Sequence, residues 1–125
     1  IEAWDMQPFL HLMSDLDGIM PAHVIYPSVD ERPAGFSPYW LQTVLRERLN
    51  YTGVLFSDDL TMQAAHFAGS LADRIMMAFS AGIDMALVCG KSHLTLQVLD
   101  ELATPKPDAV NPLLANFADH YTRNQ

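Results

Sequence analysis

The sequence predicts an α/β fold built on a parallel sheet, and three observations carry that expectation. Short apolar runs alternate with segments whose apolar residues recur at helical spacing, the pattern of βα units. The runs begin at Gly18, Gly53 and Ile83, 35 and 30 residues apart, close to the length of one βα unit. Hydrophobic residues make up 50% of the 125, which supports a packed core rather than a disordered chain. The period belongs to the fold, because the units do not repeat one another in sequence.

Residues 6–16, with Phe9, Leu10, Leu12 and Met13, read as a helix whose preceding strand is missing. The first strand is expected over residues 18–25, with Pro21, which has no ladder donor, at a bulge or strand end. A loop rich in Pro27, Asp30, Pro33 and Gly35 follows. Ser37 then offers a side-chain cap and Pro38 suits the first helical position, while Leu41, Val44, Leu45 and Leu49 form one apolar face. The second run, residues 53–57, is almost continuous in large apolar residues, as a strand buried on both faces requires. Its helix starts after Gly69, where Ser70 and Asp73 have capping-box spacing. Leu71, Ile75, Ala78 and Phe79 lie on one side of it, and Gly82 marks its stop. The third run is residues 85–89, after which Ser92 caps a segment carrying Leu94, Val98, Leu99 and Leu102. Residues 104–107 break the chain, and a terminal amphipathic helix is expected over residues 112–120. Three parallel strands alone leave two bare edges, a liability for a free-standing domain.

Charge and composition narrow the function classes. Fifteen acidic against 7 basic residues give a net charge of −8, which argues against nucleic acid as a partner. Cys89 is the single cysteine and cannot form an internal disulfide; no Cys/His cluster has zinc-finger spacing, so a reducing compartment and no metal or other cofactor are expected. The chain opens on Ile1 without a basic start or long apolar run, which predicts no signal peptide and points to processing or a boundary within a longer protein. The most apolar stretch, residues 75–89, is interrupted by Asp84 and falls short of the roughly 20 residues of a bilayer span. The expectation is a soluble cytoplasmic chain with no membrane partner.

In parallel α/β folds the working residues gather at the carboxyl ends of the strands. That rule selects His23, the group Ser57, Asp58 and Asp59, and the pair Cys89 and Gly90. Adjacent carboxylates at a strand end cannot both face inward, so one faces the site while the other braces the loop. Four readings of the pair stand open: a carboxylate nucleophile or base, a Mg²⁺ or phosphoacceptor site, a polar ligand patch, and a solvated capping loop. The phosphoacceptor reading fits poorly, because the pair follows the middle run and neither lysine, Lys91 or Lys106, closes a strand. His23 is equally readable as a core histidine bonded to backbone. Cys89 reads as a small buried hydrophobe rather than a nucleophile, and Met62, Met76, Met77 and Met85 as core by spacing. His66 and His93 carry no motif.

The stretch from Val44 through Arg46 and Arg48, then Gly53, Val54, Leu55, Phe56, Ser57, Asp58, Asp59, Leu60 and Thr61, resembles the active-site signature of glycoside hydrolase family 3. Residues 19–26, 33–41 and 81–89 are similar to one branch of it, the bacterial cytoplasmic β-N-acetylhexosaminidases of peptidoglycan recycling. The resemblance runs from about residue 5 to 102. It implies a partial TIM (β/α)₈ barrel, because the whole barrel takes about 250 residues. The three runs then correspond to the sixth, seventh and eighth strands, and the opening helix to the end of the fifth unit, so residues 1–125 are the carboxy-terminal part of a single catalytic domain. The resemblance makes Asp58 the catalytic nucleophile of a retaining reaction on terminal β-linked N-acetylglucosamine of anhydromuramic-acid muropeptides. It assigns Asp59 to shaping the loop and sets His23 and Met62 near the sugar pocket. It also implies a Lys-His-Phe-Pro-Gly-His stretch and a His/Asp acid–base pair, both upstream of Ile1. Loss of the acid/base typically costs about 10²–10⁴ in rate, so little turnover is expected from this chain alone. The alternative is a non-catalytic half-barrel that self-associates through its open edges.

Overall fold

The computed structural model of the chain describes residues 4–90 and 92–102. The described elements run α1 (Gln7–Leu12), a 3₁₀ turn (Met13–Asp15), β1 (Gly18–Ile19), β2 (Ile25–Tyr26), β3 (Asp30–Pro33), a 3₁₀ turn (Ala34–Phe36), a π-helix (Tyr39–Arg48), β4 (Val54–Leu55), a 3₁₀ helix (Gln63–Ala68), α2 (Leu71–Ala81) and α3 (Ser92–Glu101). The predicted break at residues 104–107 and the helix at 112–120 lie outside the described residues.

The parallel order of the three apolar runs is as expected. β1 pairs with β4 in parallel, Gly18 opposite Val54 and Ile19 opposite Leu55, and Phe56 bridges Met85 in parallel on the other side. The ladder continues through the Phe56 amide to the Ile19 carbonyl at 2.9 Å and the Ser57 amide to the Met85 carbonyl at 2.9 Å. Val54 and Leu55 have no exposed surface, which is why this run carries large apolar residues on both faces.

The first run is not one strand. Its parallel pairing ends at Ile19, just before Pro21, which has no N–H to give to the ladder. The chain turns instead to the segment whose composition reads as loop: the Ala34 amide donates to the Val24 carbonyl at 2.8 Å, and β2 and β3 pair antiparallel. Residues 25 and 26 therefore belong to a short hairpin and not to the parallel sheet.

The expected helix after Ser37 forms, but much of it winds as a π-helix, with the Leu49 amide donating to the Val44 carbonyl five residues back at 3.0 Å. The Ser37 hydroxyl accepts from the Trp40 amide at 3.1 Å and donates to Asp30 at 2.5 Å, so the cap also ties the helix start to β3. Leu41, Val44 and Leu45 are buried with Trp40, and Leu49 is half-buried. At α2 the capping box is complete. The Ser70 hydroxyl accepts from the Asp73 amide at 3.2 Å, and the Asp73 carboxylate accepts from the Ser70 amide at 3.0 Å. Gly82 ends the helix at φ +121°, where an L side chain is strained.

One core joins Phe36, Leu41, Leu45, Leu55, Leu60, Ile75, Ala78, Ile83 and Val98, which seats α2, α3 and the π-helix against the sheet. At the amino ends of the strands, the Arg46 guanidinium donates to the Tyr51 and Gly53 carbonyls, both at 2.7 Å, and to the Asp84 carboxylate at 2.6 Å. Asp84 also accepts the Leu55 amide at 2.8 Å, so one ion pair joins the π-helix to β4 and the third run.

Several predicted core residues are not in the core. α1 buries no residue, with Phe9 and Leu12 more than half exposed. Met76 and Met77 are exposed because the outer face of α2 meets no further layer among the described residues; Met62, on the loop after β4, is exposed too, and Met85 in the third run is only half-buried. Leu99 on α3 is exposed for the same reason, while Val98 on its inner face is buried.

Candidate active site

Past β4 the chain leaves the sheet through the buried Ser57, whose hydroxyl accepts from the Leu87 amide at 2.8 Å. This bond fixes the end of the second run against the third where regular strand pairing has stopped. The next residues, Asp58 and Asp59, are both half-buried. They take up different tasks, as adjacent carboxylates at a strand end must.

Asp58 accepts the Asp59 amide on Oδ1 at 2.8 Å. The Asp59 carboxylate turns back into the protein, accepting from the Thr61 amide at 2.9 Å, the Thr61 hydroxyl at 2.8 Å and the Cys89 amide at 3.1 Å. Partial burial pushes the Asp59 carboxyl up, but these donors to its charged form outweigh it, and its pKa lies below the ordinary value. Asp59 is therefore a brace across 30 residues of sequence, from the end of the second run to the end of the third.

His23 reaches the same point from the first run. Its Nε2 lies 3.3 Å from the Asp59 carbonyl, which also accepts the Met62 amide at 3.1 Å. A carbonyl only accepts, so Nε2 carries the ring proton. The buried Nδ1 has no hydrogen-bond partner among the described residues. The ring stacks on Phe36 at 5.0 Å, and Phe36 meets the edge of Phe67 at 5.2 Å. Gly35 makes this fit possible, since a Cβ there would stand 3.1 Å from the Pro21 carbonyl and 3.3 Å from His23 Nδ1.

The structure thus gathers His23, Asp58 and Asp59 at one end of the parallel sheet. Met62 follows on the same loop, with its side chain 44% exposed and its amide engaged by Asp59. Cys89 is exposed rather than buried, because it lies beyond the last ladder bond, from the Leu60 amide to the Leu87 carbonyl at 3.0 Å. Its thiol pKa is raised, by desolvation first and then by the nearby Asp59 and Asp58 charges. A thiol so held is a poor nucleophile at neutral pH. An open cleft of about 680 Å³ lies between the loop and helices α2 and α3, lined by residues including Asp59, His66, Arg74, Cys89 and Glu101. Asp58, His23 and Met62 do not line it, so the cleft and the carboxylate cluster meet only at the Asp59 brace.

Residues 1–108 match the glycosyl hydrolase family 3 N terminal domain. The chain belongs to that family. A relative named Beta-hexosaminidase from Idiomarina loihiensis is 52% identical over 110 residues, covering 87% of this chain and 33% of the relative. Another of that name from Shewanella frigidimarina is 49% identical over 117 residues, covering 92% and 34%. Among solved structures, native NagZ from Neisseria gonorrhoeae superposes with a TM-score of 0.76 at 39% identity, over 88% of this chain and 31% of that one. NagZ from the same organism in complex with N-trifluoroacetyl-D-glucosamine gives 0.77 at 42% identity, over 86% and 31%. This family 3 chain spans about a third of the length of the relatives it matches.

The sequence marks Ser57 at the strand end but not the bond its hydroxyl makes, and it does not mark Gly35 or the Phe36–Phe67 contact as parts of the site. Ser57 carried a usable signal: a small polar residue closing a wholly apolar run has to be satisfied when buried. Phe36 and Phe67 carried none, since aromatic residues in short 3₁₀ segments do not reveal their partners.

Proposed function

We propose that this chain is the carboxy-terminal part of a (β/α)₈ catalytic domain in a retaining β-N-acetylhexosaminidase, with Asp58 as the nucleophile. The observation that carries the reading is the half-buried Asp58 carboxylate at the carboxyl end of a parallel strand, in a family 3 chain about half identical to β-hexosaminidases. The Asp59 amide occupies one Asp58 oxygen and leaves the other to attack. That oxygen bonds to the anomeric carbon, the glycosidic C–O bond breaks, and the leaving oxygen takes a proton from a general acid that the family pattern sets upstream of these residues. Water, deprotonated by the same group, then attacks the anomeric carbon; the ester C–O bond breaks, and the hexosamine leaves with its β configuration.

The substrate class is terminal β-linked N-acetylglucosamine, supported by the complex of the similar gonococcal NagZ with N-trifluoroacetyl-D-glucosamine. The natural substrates are muropeptide fragments bearing anhydromuramic acid, which sets the enzyme in the cytoplasm. No helix among the described residues is long and apolar enough to cross a membrane. His23 and Met62 border the sugar pocket, and the chain alone turns over little substrate.

The test is a chimera in which this chain replaces the matching third of the Idiomarina loihiensis β-hexosaminidase, assayed with a chromogenic β-N-acetylglucosaminide. Turnover by the chimera that falls by about 10⁴ or more in Asp58→Asn supports the reading, and an Asp58→Asn chimera with normal turnover sinks it. A second reading, self-association of the chain as a half-barrel, is favoured by the pairing of β1 on one side only among the described residues and by the exposure of Trp4, Phe9 and Leu12. Light scattering that finds a folded monomer at high concentration refutes it.

A further inference from the structure

We propose that Asp59 and His23 form a bracket that holds the Asp58 carboxylate in its attacking orientation, Asp59 as the positioning residue and His23 through it. The inference rests on the hexosaminidase reading and assigns to this pair a role in the rate of attack rather than in sugar binding.

Asp59 is bonded at every polar position it has. Its amide donates to Asp58 Oδ1 at 2.8 Å; its carbonyl accepts from Met62 at 3.1 Å and His23 at 3.3 Å; its carboxylate accepts from Thr61 and Cys89. These bonds tie Asp59 to residues of the first and third runs, so the residue whose amide orients the nucleophile cannot shift without breaking contacts to one or the other. The His23 ring is fixed independently, by the stack on Phe36 and by Gly35 against its Nδ1 edge. With Nε2–H spent on the Asp59 carbonyl, the ring does not offer that donor to a sugar.

Small errors in the direction of an attacking oxygen are costly, on the order of 10²-fold for a displacement of about 1 Å. Where attack limits turnover, a group that only aims the nucleophile changes kcat and leaves KM almost untouched, whereas a sugar ligand shifts KM.

The experiment uses the same chimera and chromogenic substrate, with Asp58→Asn as the reference for the parent reading. Asp59→Ala is expected to lower kcat about 100-fold while KM stays within about threefold. His23→Phe keeps the stack on Phe36 but loses the donor, and is expected to lower kcat about tenfold at unchanged KM. His23→Gln sets an amide N–H where Nε2–H stood and is expected to recover most of that loss. If Asp59→Ala does not fold, the two His23 variants decide the matter. An inactive Asp58→Asn beside fully active Asp59→Ala or His23→Phe variants overturns the bracket and leaves the nucleophile standing. A His23→Phe variant whose KM rises while kcat holds overturns it in favour of a sugar contact. An equally poor His23→Gln overturns it too, since the bracket needs only the donor. A fully active Asp58→Asn removes the hexosaminidase reading itself.

Discussion

Replacing Arg46 with methionine tests whether the ion pair at the amino ends of the strands holds the sheet together. Methionine keeps most of the apolar stem and removes the guanidinium, which donates to the Tyr51 and Gly53 carbonyls at 2.7 Å each and to Asp84 at 2.6 Å. Hydrogen bonds to charged groups contribute about 1.5–3 kcal/mol each, and the cation over the Tyr51 ring adds about 0.5–1 kcal/mol. The partners are 26% and 16% exposed, so water restores part of the loss, and the net destabilisation is expected at about 3 kcal/mol rather than the full sum. At a typical slope of about 1–3 kcal/mol per molar, the urea midpoint falls by roughly 1–3 M. Tryptophan emission reads the transition well, since Trp40 is 7% exposed and Trp4 already 83%. Adding Asp84→Asn to Arg46→Met is expected to cost less than the two single changes together, with a coupling of about 1–2 kcal/mol. A midpoint shift worth under about 1 kcal/mol, the scale of an exposed surface pair, shows that the ion pair does not hold the sheet together.

Ser57→Ala leaves the Leu87 amide without its acceptor beside a fully buried site and is expected to destabilise the chain by about 1–3 kcal/mol, read in the same unfolding assay. Acid sensitivity follows from three carboxyls held below their ordinary value of 3.8: Asp30 by the Ser37 hydroxyl and the Arg32 amide, Asp73 by the Ser70 hydroxyl and amide, and Asp59 by Thr61 and Cys89 against the opposing effect of burial. Below 3.8 the unfolded chain binds more protons at these sites than the folded one. Their contribution is therefore complete above 3.8 and is lost as pH falls through the lower folded values. Urea midpoints titrated from pH 5 downward are expected to drop more gently in Ser70→Ala, where Asp73 loses the hydroxyl donor and keeps the amide; an identical acid slope contradicts the assignment.

The parts of the fold legible in sequence are those fixed within a few residues. The capping box of Ser70 and Asp73, the stop at Gly82 and the buried run through Val54 and Leu55 each declare themselves locally, and each is present. The hairpin of β2 and β3 was hidden because Asp30, Glu31 and Arg32 lack strand composition, and because its cause, the end of the ladder before Pro21, is settled by pairing partners. Met76 and Met77 fall at helical spacing whether or not a second layer covers α2, so spacing could not tell their exposure. The same division runs through the site. Asp58 was visible from its signature, whereas the Asp59 bond to Cys89 crosses 30 residues and the His23 contact with Asp59 crosses 36, distances over which a single sequence carries no pairing signal.

In the proposed reaction Asp58 forms the covalent bond to the sugar. The most direct measurement incubates the chimeric enzyme with a slowly hydrolysed fluorinated N-acetylglucosaminide and maps the labelled peptide by tandem mass spectrometry. One sugar esterified to Asp58, and no label in Asp58→Asn, is the expected result. Label on Asp59, or turnover that inverts the anomeric centre with no covalent adduct, contradicts it.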